Sequence, residues 1–132
     1  MKFSHTSITV RNMDESLKFY TKGLGLDMER RREIPENHAE IAFVREPASG
    51  MRIELTWWKD KKELTEGDQL DHLAFEVPDL EEAIRALELH GAKLAKAPYQ
   101  LQGGSGRIAF VHDPNGIWIE LLERRGTGEK ER

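Results

Sequence analysis

Short runs in which apolar and polar residues alternate are interrupted, at two places in this chain, by runs with helical spacing. The first alternating run, residues 4–10, is rich in β-branched side chains and predicts a strand. Leu17, Tyr20 and Leu24 then recur at spacings of three and four, which predicts a helix that ends at the glycines beside them. The following runs predict three more strands, at about residues 27–33, 39–45 and 51–58.

The same order of elements returns in the second half of the chain. Residues 72–77 predict a strand, and Asp79 is a helix-capping residue that stands just before a stripe of apolar positions. This stripe predicts a second helix and consists of Leu80, Ala83, Ile84 and Leu87. Three further strands are expected, at about residues 93–97, 107–112 and 117–122. The sequence therefore predicts two successive βαβββ modules.

The two predicted modules are expected to form a single α+β domain that includes residues 1–132. A chain of 132 residues lies near the commonest size of a domain. The expected parts are a first module at 1–58, a polar linker at 59–69, a second module at 70–123 and a charged, frayed tail at 124–132.

Two residue types recur at equivalent positions of this repeat. HTSITV aligns with HLAFEV, so His5 falls on His72, and RIEL aligns with WIEL, so Glu54 falls on Glu120. Side chains alternate along a strand, so each glutamate points away from its two apolar neighbours. In a single strand, such a glutamate would most simply be an exposed carboxylate. The duplicated pair instead favours a ligand role, and two sheets that face one another would bring all four side chains to one ion.

Composition narrows the chemistry of such a site. The chain has no cysteine, so a metal would be bound by His, Asp or Glu. Two imidazoles and two carboxylates suit Ni²⁺, Co²⁺, Zn²⁺, Mn²⁺ or Fe²⁺ without selecting one of them. The net charge is −4 and the basic residues are scattered, which argues against a nucleic-acid or anionic-membrane surface. Without a signal-like or membrane-spanning apolar run, a cytoplasmic location is expected.

The repeated modules resemble the vicinal oxygen chelate superfamily, from HTSITV to WIELLE. Within that range, IELTWWKDKKEL, HLAFEV and GGSGRIAFVHDPNGIWIEL are most similar to bacterial glyoxalase I enzymes, the lactoylglutathione lyases. The resemblance implies curved mixed sheets that face a metal site, and a homodimer that builds each site from both chains. It also implies one divalent ion per site, with Ni²⁺ as the first expectation, held by His5, Glu54, His72 and Glu120.

The activity that this resemblance implies is a metal-dependent lyase reaction. The hemithioacetal of methylglyoxal and glutathione, or of another small thiol, would be isomerised to the S-lactoyl thiol through an enediolate. By analogy with the family, Glu120 is the first choice for the base that moves the proton, and Glu54 is the second. The chain departs from the glutathione-binding pattern at Thr9, where an arginine is common, and at Trp57 and Trp58, where an asparagine is common, so the thiol stays open.

Six further residues are candidates for contact with the substrate. Arg11, Arg107 and Lys96 could supply positive charge to a carboxylate, although a surface charge is the simpler interpretation of each. The three tryptophans could line an apolar pocket, although aromatic residues on strands more often pack in cores or subunit contacts. These are Trp57, Trp58 and Trp118.

Three other functions remain compatible with the sequence. The first is an epimerase that resembles the enzymes acting on methylmalonyl-CoA, because it would use related enolate chemistry. The second is an extradiol dioxygenase, which binds iron through two histidines and one carboxylate; a fourth ligand at Glu54 argues against it. The third is a module that binds small molecules without turnover, and the intact set of four ligand-type residues argues against that.

Overall fold

Each half of the chain folds around its own four-stranded mixed sheet in the computed structural model, which describes residues 1–100 and 106–123. Two units can be separated, Met1–Thr65 and the described part of Glu66–Arg132. The predicted frayed tail, 124–132, lies outside the described residues. No helix in the described residues is long and apolar enough to cross a membrane.

The first unit has the predicted order of one strand, one helix and three strands. Its sheet is ordered β1-β4-β3-β2, with β1 parallel to β4 and the other pairs antiparallel. The α-helix α1 continues directly as a π-helical turn, and a short 3₁₀ turn precedes β3. The elements are β1 (Thr6–Thr9), α1 (Met13–Lys18), β2 (Asp27–Ile34), β3 (Ala39–Arg45) and β4 (Arg52–Trp58).

The second unit repeats this arrangement strand for strand. Its sheet is ordered β5-β8-β7-β6, again with the first strand parallel to the last. Its elements are β5 (Leu73–Val77), α2 (Leu80–Glu88), β6 (Lys93–Gln100), β7 (Arg107–His112) and β8 (Trp118–Glu123). The repeated order confirms the prediction of an α+β fold made of two βαβββ modules.

One predicted boundary is wrong by three residues. The sequence predicted that β6 ends at residue 97, before Pro98, whereas the strand continues to Gln100. β6 lies at the edge of its sheet, where a residue without an N–H group is tolerated, and the pairing register shifts between Lys96 and Tyr99 around the proline.

The cap predicted at Asp79 is present, and Asn12 caps the helix of the first unit in the same way. The side chain of Asn12 accepts a hydrogen bond from the backbone N–H of Glu15 at 2.9 Å, and Asp79 accepts one from Glu82 at 3.0 Å. Each bond satisfies one of the N–H groups that a helix leaves without an internal partner. The caps therefore fix where the chain turns from the first strand of each module into its helix.

Alternation along the last strand of each module separates two faces of each sheet. Leu55 and Leu121 are fully buried on the face that carries the helix, together with Ile53 and Ile119. The glutamates between these residues point to the opposite face, because neighbouring side chains of a strand alternate. The repeated His and Glu residues therefore lie on the sheet face away from the helix in both units.

Candidate metal-binding faces

The first unit holds His5 and Glu54 next to each other. β1 pairs in parallel with β4, with Ser7 opposite Glu54, and His5 lies two residues before Ser7 on the same face. The Nε2 atom of His5 is 3.5 Å from Oε1 of Glu54. The other ring nitrogen of His5 is 2.7 Å from the hydroxyl of Ser4, so the ring is held on both sides.

The second unit builds the same pair more tightly. Glu120 is the partner of Ala74 in the parallel pairing of β5 with β8, and His72 precedes Ala74 by two residues. Nε2 of His72 is 3.1 Å from Oε1 of Glu120, and its Nδ1 is 2.7 Å from a carboxylate oxygen of Asp71. The Glu120 side chain is 2% exposed, compared with 19% for Glu54.

The hydrogen bond at Nδ1 of His72 determines whether its other ring nitrogen, Nε2, can act as a donor or as an acceptor. The Asp71 carboxylate is only an acceptor, so Nδ1 of His72 carries the hydrogen of that bond. In a neutral ring, Nε2 then presents a lone pair to the carboxylate of Glu120. Two acceptors at this distance repel each other unless a cation or a proton lies between them. The pair can therefore hold either a proton or a metal cation between these two atoms.

The distances within the pairs fit shared coordination of a divalent ion. Two ligand atoms that lie about 2.1 Å from one ion are about 3.0 Å apart at a right angle and about 3.4 Å apart at the tetrahedral angle. The measured separations are 3.1 Å between His72 and Glu120 and 3.5 Å between His5 and Glu54. These distances also suit an ion pair with a protonated imidazole. Each unit contributes one pair, and coordination of one ion by both pairs stays a prediction.

A cluster of three carboxylates in the second unit has a different role. Ligand atoms of Asp79, Glu81 and Glu123 lie within 4.8 Å of one another. Asp79 caps α2, and Glu123 accepts a hydrogen bond from the backbone N–H of Leu80 at 3.0 Å. Glu81 and Glu123 both bind Arg107. The cluster therefore holds the start of α2 against β7 and β8.

Arg107 makes four hydrogen bonds to this cluster. Its guanidinium donates to Glu123 at 2.9 and 3.0 Å and to Glu81 at 2.8 and 3.0 Å. The hydrogen bond from Arg107 lowers the pKa of the Glu81 carboxyl, and the pKa of Arg107 is raised by the same contact and by Glu123. Arg107 lies on the helix side of its sheet, away from Glu120, and four of its five N–H donors are occupied.

The sequence did not identify Glu123, although a signal existed. Glu123 follows Ile119 and Leu121 at alternating positions of β8, which places it on the buried face of the strand. A carboxylate on such a face requires partners, and these are Arg107 and the backbone of α2.

Two of the candidate tryptophans share a face with the glutamates. Trp58 is two alternating steps beyond Glu54 on β4, and Trp118 is one step before Glu120 on β8. The Trp118 ring packs edge-on against His112 at 4.5 Å, and its N–H donates to Glu66 at 3.0 Å.

Arg11 and Trp57 lie together, but on the opposite side of their sheet. Trp57 alternates with Glu54, so it points to the helix side, where the ammonium group of Lys59 lies 5.4 Å from its ring centroid. Arg11 bonds Glu15 at 3.0 Å. Both line an open pocket of about 470 Å³, which is completed by Asn12, Glu15, Lys59, Lys61 and Lys62.

Two phenylalanines beside the histidines were not identified from the sequence. The Phe43 ring meets His5 edge-on with a centroid distance of 4.9 Å, and Phe110 meets His72 in the same way at 5.6 Å. Phe43 is the pairing partner of Glu54, and Phe110 is the partner of Glu120. The repeated IAFV motif carries both residues, so the alignment of the two halves could have revealed them.

A duplicated βαβββ fold with one His–Glu pair in each module defines the structural class of the protein. The chain belongs to the Glyoxalase/Bleomycin resistance protein/Dioxygenase superfamily, whose sequence model matches residues 2–121. This confirms the superfamily that the repeated motifs predicted.

Curated relatives of similar length are named for one activity. The chain is 36% identical over 132 residues to a lactoylglutathione lyase of Escherichia coli O157:H7, with 97% of this chain and 96% of the relative covered. It is also 36% identical to a lactoylglutathione lyase of Haemophilus influenzae, with 96% of each chain covered. The resemblance to bacterial glyoxalase I is thereby confirmed at the level of sequence similarity.

Solved structures that are similar to this chain are also named glyoxalase I. Glyoxalase I from Zea mays matches with a TM-score of 0.81 and 28% identity, over 95% of this chain. The match covers 45% of the maize chain, so this protein spans less than half of that relative. The trypanothione-dependent glyoxalase I of Leishmania major matches with a TM-score of 0.74 and 30% identity, over 90% of this chain and 84% of that one.

Proposed function

We propose that this protein is a metal-dependent glyoxalase I, a lyase that converts the hemithioacetal of methylglyoxal and a small thiol into the S-lactoyl thiol. The observation that carries the proposal is the His–Glu pair at equivalent positions of both units. The similarity to proteins named lactoylglutathione lyase, which extends over nearly the whole chain, supports the same activity.

The residues of the two pairs fit a divalent ion as the cofactor. His5, Glu54, His72 and Glu120 would hold it, with Ni²⁺ as the first expectation and Co²⁺, Zn²⁺, Mn²⁺ or Fe²⁺ as alternatives. When bound, the ion supplies a Lewis acid for the two substrate oxygens. The bonds at Nδ1 support the ligand role, because they orient each ring and leave Nε2 for the ion.

Proton transfer is assigned to Glu120, with Glu54 as the second candidate. The carboxylate takes the proton from the carbon that bears sulfur, which gives an enediolate, and returns it to the adjacent carbon. Glu120 is preferred because its side chain is much less exposed than that of Glu54. A proton held on a buried carboxyl returns to the substrate rather than to bulk water.

Substrate contacts are proposed for residues that share a face with the pairs. Trp58 and Trp118 meet this condition, and an exposed aromatic ring such as that of Trp58 can cover the apolar part of a thiol. Arg11, Trp57 and Arg107 are on the helix sides of their sheets and are not included. The thiol is glutathione or another small thiol, and the trypanothione-dependent relative supports variation of the thiol within the family.

We also propose a homodimer in which each site takes one His–Glu pair from each chain. The functional test is to strip the metal, add back Ni²⁺, Co²⁺, Zn²⁺ and Mn²⁺ separately, and follow thioester formation from methylglyoxal and glutathione. Activity is expected to return with Ni²⁺ or Co²⁺. No activity with any ion, together with turnover of methylmalonyl-CoA, would instead favour the epimerase.

A further inference from the structure

A row of paired side chains runs across the sheet of the first unit. Arg30 on β2 is the partner of Phe43 on β3, Phe43 is the partner of Glu54 on β4, and Glu54 is the partner of Ser7 on β1. Paired residues of neighbouring strands point to the same face of a sheet. Arg30 therefore lies on the face that carries His5 and Glu54.

Phe43 holds Arg30 without occupying its hydrogen-bond donors. The guanidinium carbon of Arg30 is 4.7 Å from the centroid of the Phe43 ring, and the same ring contacts His5. A guanidinium has five N–H donors, and a phenyl ring positions the cation without accepting a conventional hydrogen bond. Within the described part of the chain, no carboxylate pairs with Arg30. Arg52 contacts the same ring at 4.9 Å but donates to Glu29 at 2.7 Å.

The second unit places a cation at the equivalent position. Lys96 on β6 is the partner of Phe110, which is the partner of Glu120 and contacts the ring of His72. The ammonium group of Lys96 is 4.4 Å from the centroid of Tyr99. A cation, a phenylalanine and a His–Glu pair thus recur in the same order in both units.

The backbone irregularity that precedes each cation recurs as well. The pairing register shifts between Met28 and Arg30 in β2, and between Leu94 and Lys96 in β6. A bulge re-aims the side chains that follow it, and bulges are frequent next to active sites. A solvated surface cation would not require the same position and the same bulge twice.

We propose that Arg30 and Lys96 bind the carboxylates of an anionic thiol beside the two His–Glu pairs, and so select the thiol substrate. The inference rests on the proposed function and names its substrate class. It also accounts for Thr9, which stands where glutathione-binding relatives commonly have an arginine, because the two cations could supply the missing charge from other strands.

Binding of a non-reacting thioether tests the inference without turnover. Titration calorimetry on the metal-loaded protein would compare S-hexylglutathione with its diethyl ester, in wild type, Arg30→Gln, Lys96→Gln and Arg85→Gln. Arg30→Gln and Lys96→Gln are each expected to weaken binding of the acid about 10- to 100-fold, the range for a charge-assisted hydrogen bond. Their effect on the ester should be small. Arg85→Gln removes an exposed charge on α2 and should bind like wild type.

Three results would overturn the inference: no binding of the acid by wild type, equal binding of acid and ester, or wild-type affinity in both Arg30→Gln and Lys96→Gln. In turnover assays with methylglyoxal and glutathione, the two variants should raise KM and leave kcat nearly unchanged. Wild-type turnover with unaltered KM in the variants rejects the role of these cations alone. Absence of wild-type turnover with every ion rejects the proposed function instead.

Discussion

At the scale of single residues, the two glutamates of the candidate site differ in environment although their sequence contexts are nearly the same. Glu120→Gln should lower kcat about 10²- to 10⁴-fold, the usual contribution of a general base. Glu54→Gln, at the more exposed position, should have a smaller effect on kcat. Turnover rates and bound metal would be measured on the same samples. Full turnover of metal-loaded Glu120→Gln would exclude Glu120 as the base.

The sequence identified these glutamates because duplication marks them, but it did not identify Arg30, which shares the face of Glu54. Arg30, Arg31 and Arg32 are consecutive, and the direction of each depends on the register shift that precedes Arg30. Arg31 points to the helix side, where it binds Glu40 at 2.8 Å and Asp14 at 2.8 Å. Alternation along a strand shows only that neighbouring side chains point to opposite faces of the sheet. The face to which each of these three arginines points could therefore be assigned only from the structure.

At the scale of elements, α2 depends on a carboxylate from β8. The Glu123 carboxylate accepts hydrogen bonds from the Leu80 N–H and from Arg107. Glu123→Gln keeps the size of the side chain but replaces one acceptor oxygen by an N–H₂ group, which faces one of these two donors and cannot accept its hydrogen bond. Because the Glu123 side chain is 4% exposed, the loss should lower the free energy of unfolding by about 1–3 kcal/mol. Urea unfolding would measure it, with Glu88→Gln on the same helix as the exposed control. Equal midpoints for the two variants would contradict this role.

The ion pair between Arg107 and Glu81 should make the free energy of unfolding of the second unit depend on pH. Arg107 lowers the pKa of the Glu81 carboxyl from its usual 4.5. A carboxyl with a lowered pKa in the folded state contributes stability that is complete above its usual pKa and is lost as the pH falls through the lowered value. The difference in unfolding free energy between wild type and Arg107→Gln should therefore be constant near neutral pH and shrink below the usual pKa.

Urea midpoints from pH 7 down to pH 3 would record this difference, with Arg85→Gln as the charge-matched control. A difference that stays constant down to pH 3 would show that Arg107 acts through packing rather than through the carboxylates.

Element boundaries could be predicted from the sequence where local signals agree. Asp79 marks the start of α2 by a hydrogen bond that involves only neighbouring residues, and it was identified from the sequence. The end of β6 was missed because Pro98 signals a break locally, whereas the position of its strand at the sheet edge removes the cost. Edge position depends on the pairing of distant strands, which no local pattern encodes.

At the scale of the whole molecule, duplication gives each unit half of the proposed ligand set. Each unit supplies one imidazole and one carboxylate of the predicted ligands. A centre with all four ligands therefore requires one first unit and one second unit. The sequence predicts this composition because the repeat can be aligned residue by residue. Whether the two pairs come from one chain or from two depends on association between chains, and the repeat pattern is the same in both cases.

Mixing two inactive variants would decide between these arrangements. One variant carries His5→Ala with Glu54→Ala, and the other carries His72→Ala with Glu120→Ala, so each lacks one pair. If sites are shared between two chains, a mixed dimer contains one site with no ligands and one complete site. Random re-association should then restore about a quarter of wild-type activity, because half of the dimers are mixed and each has one working site. If each site lies within one chain, every site lacks a pair, and the mixture should stay as inactive as its components.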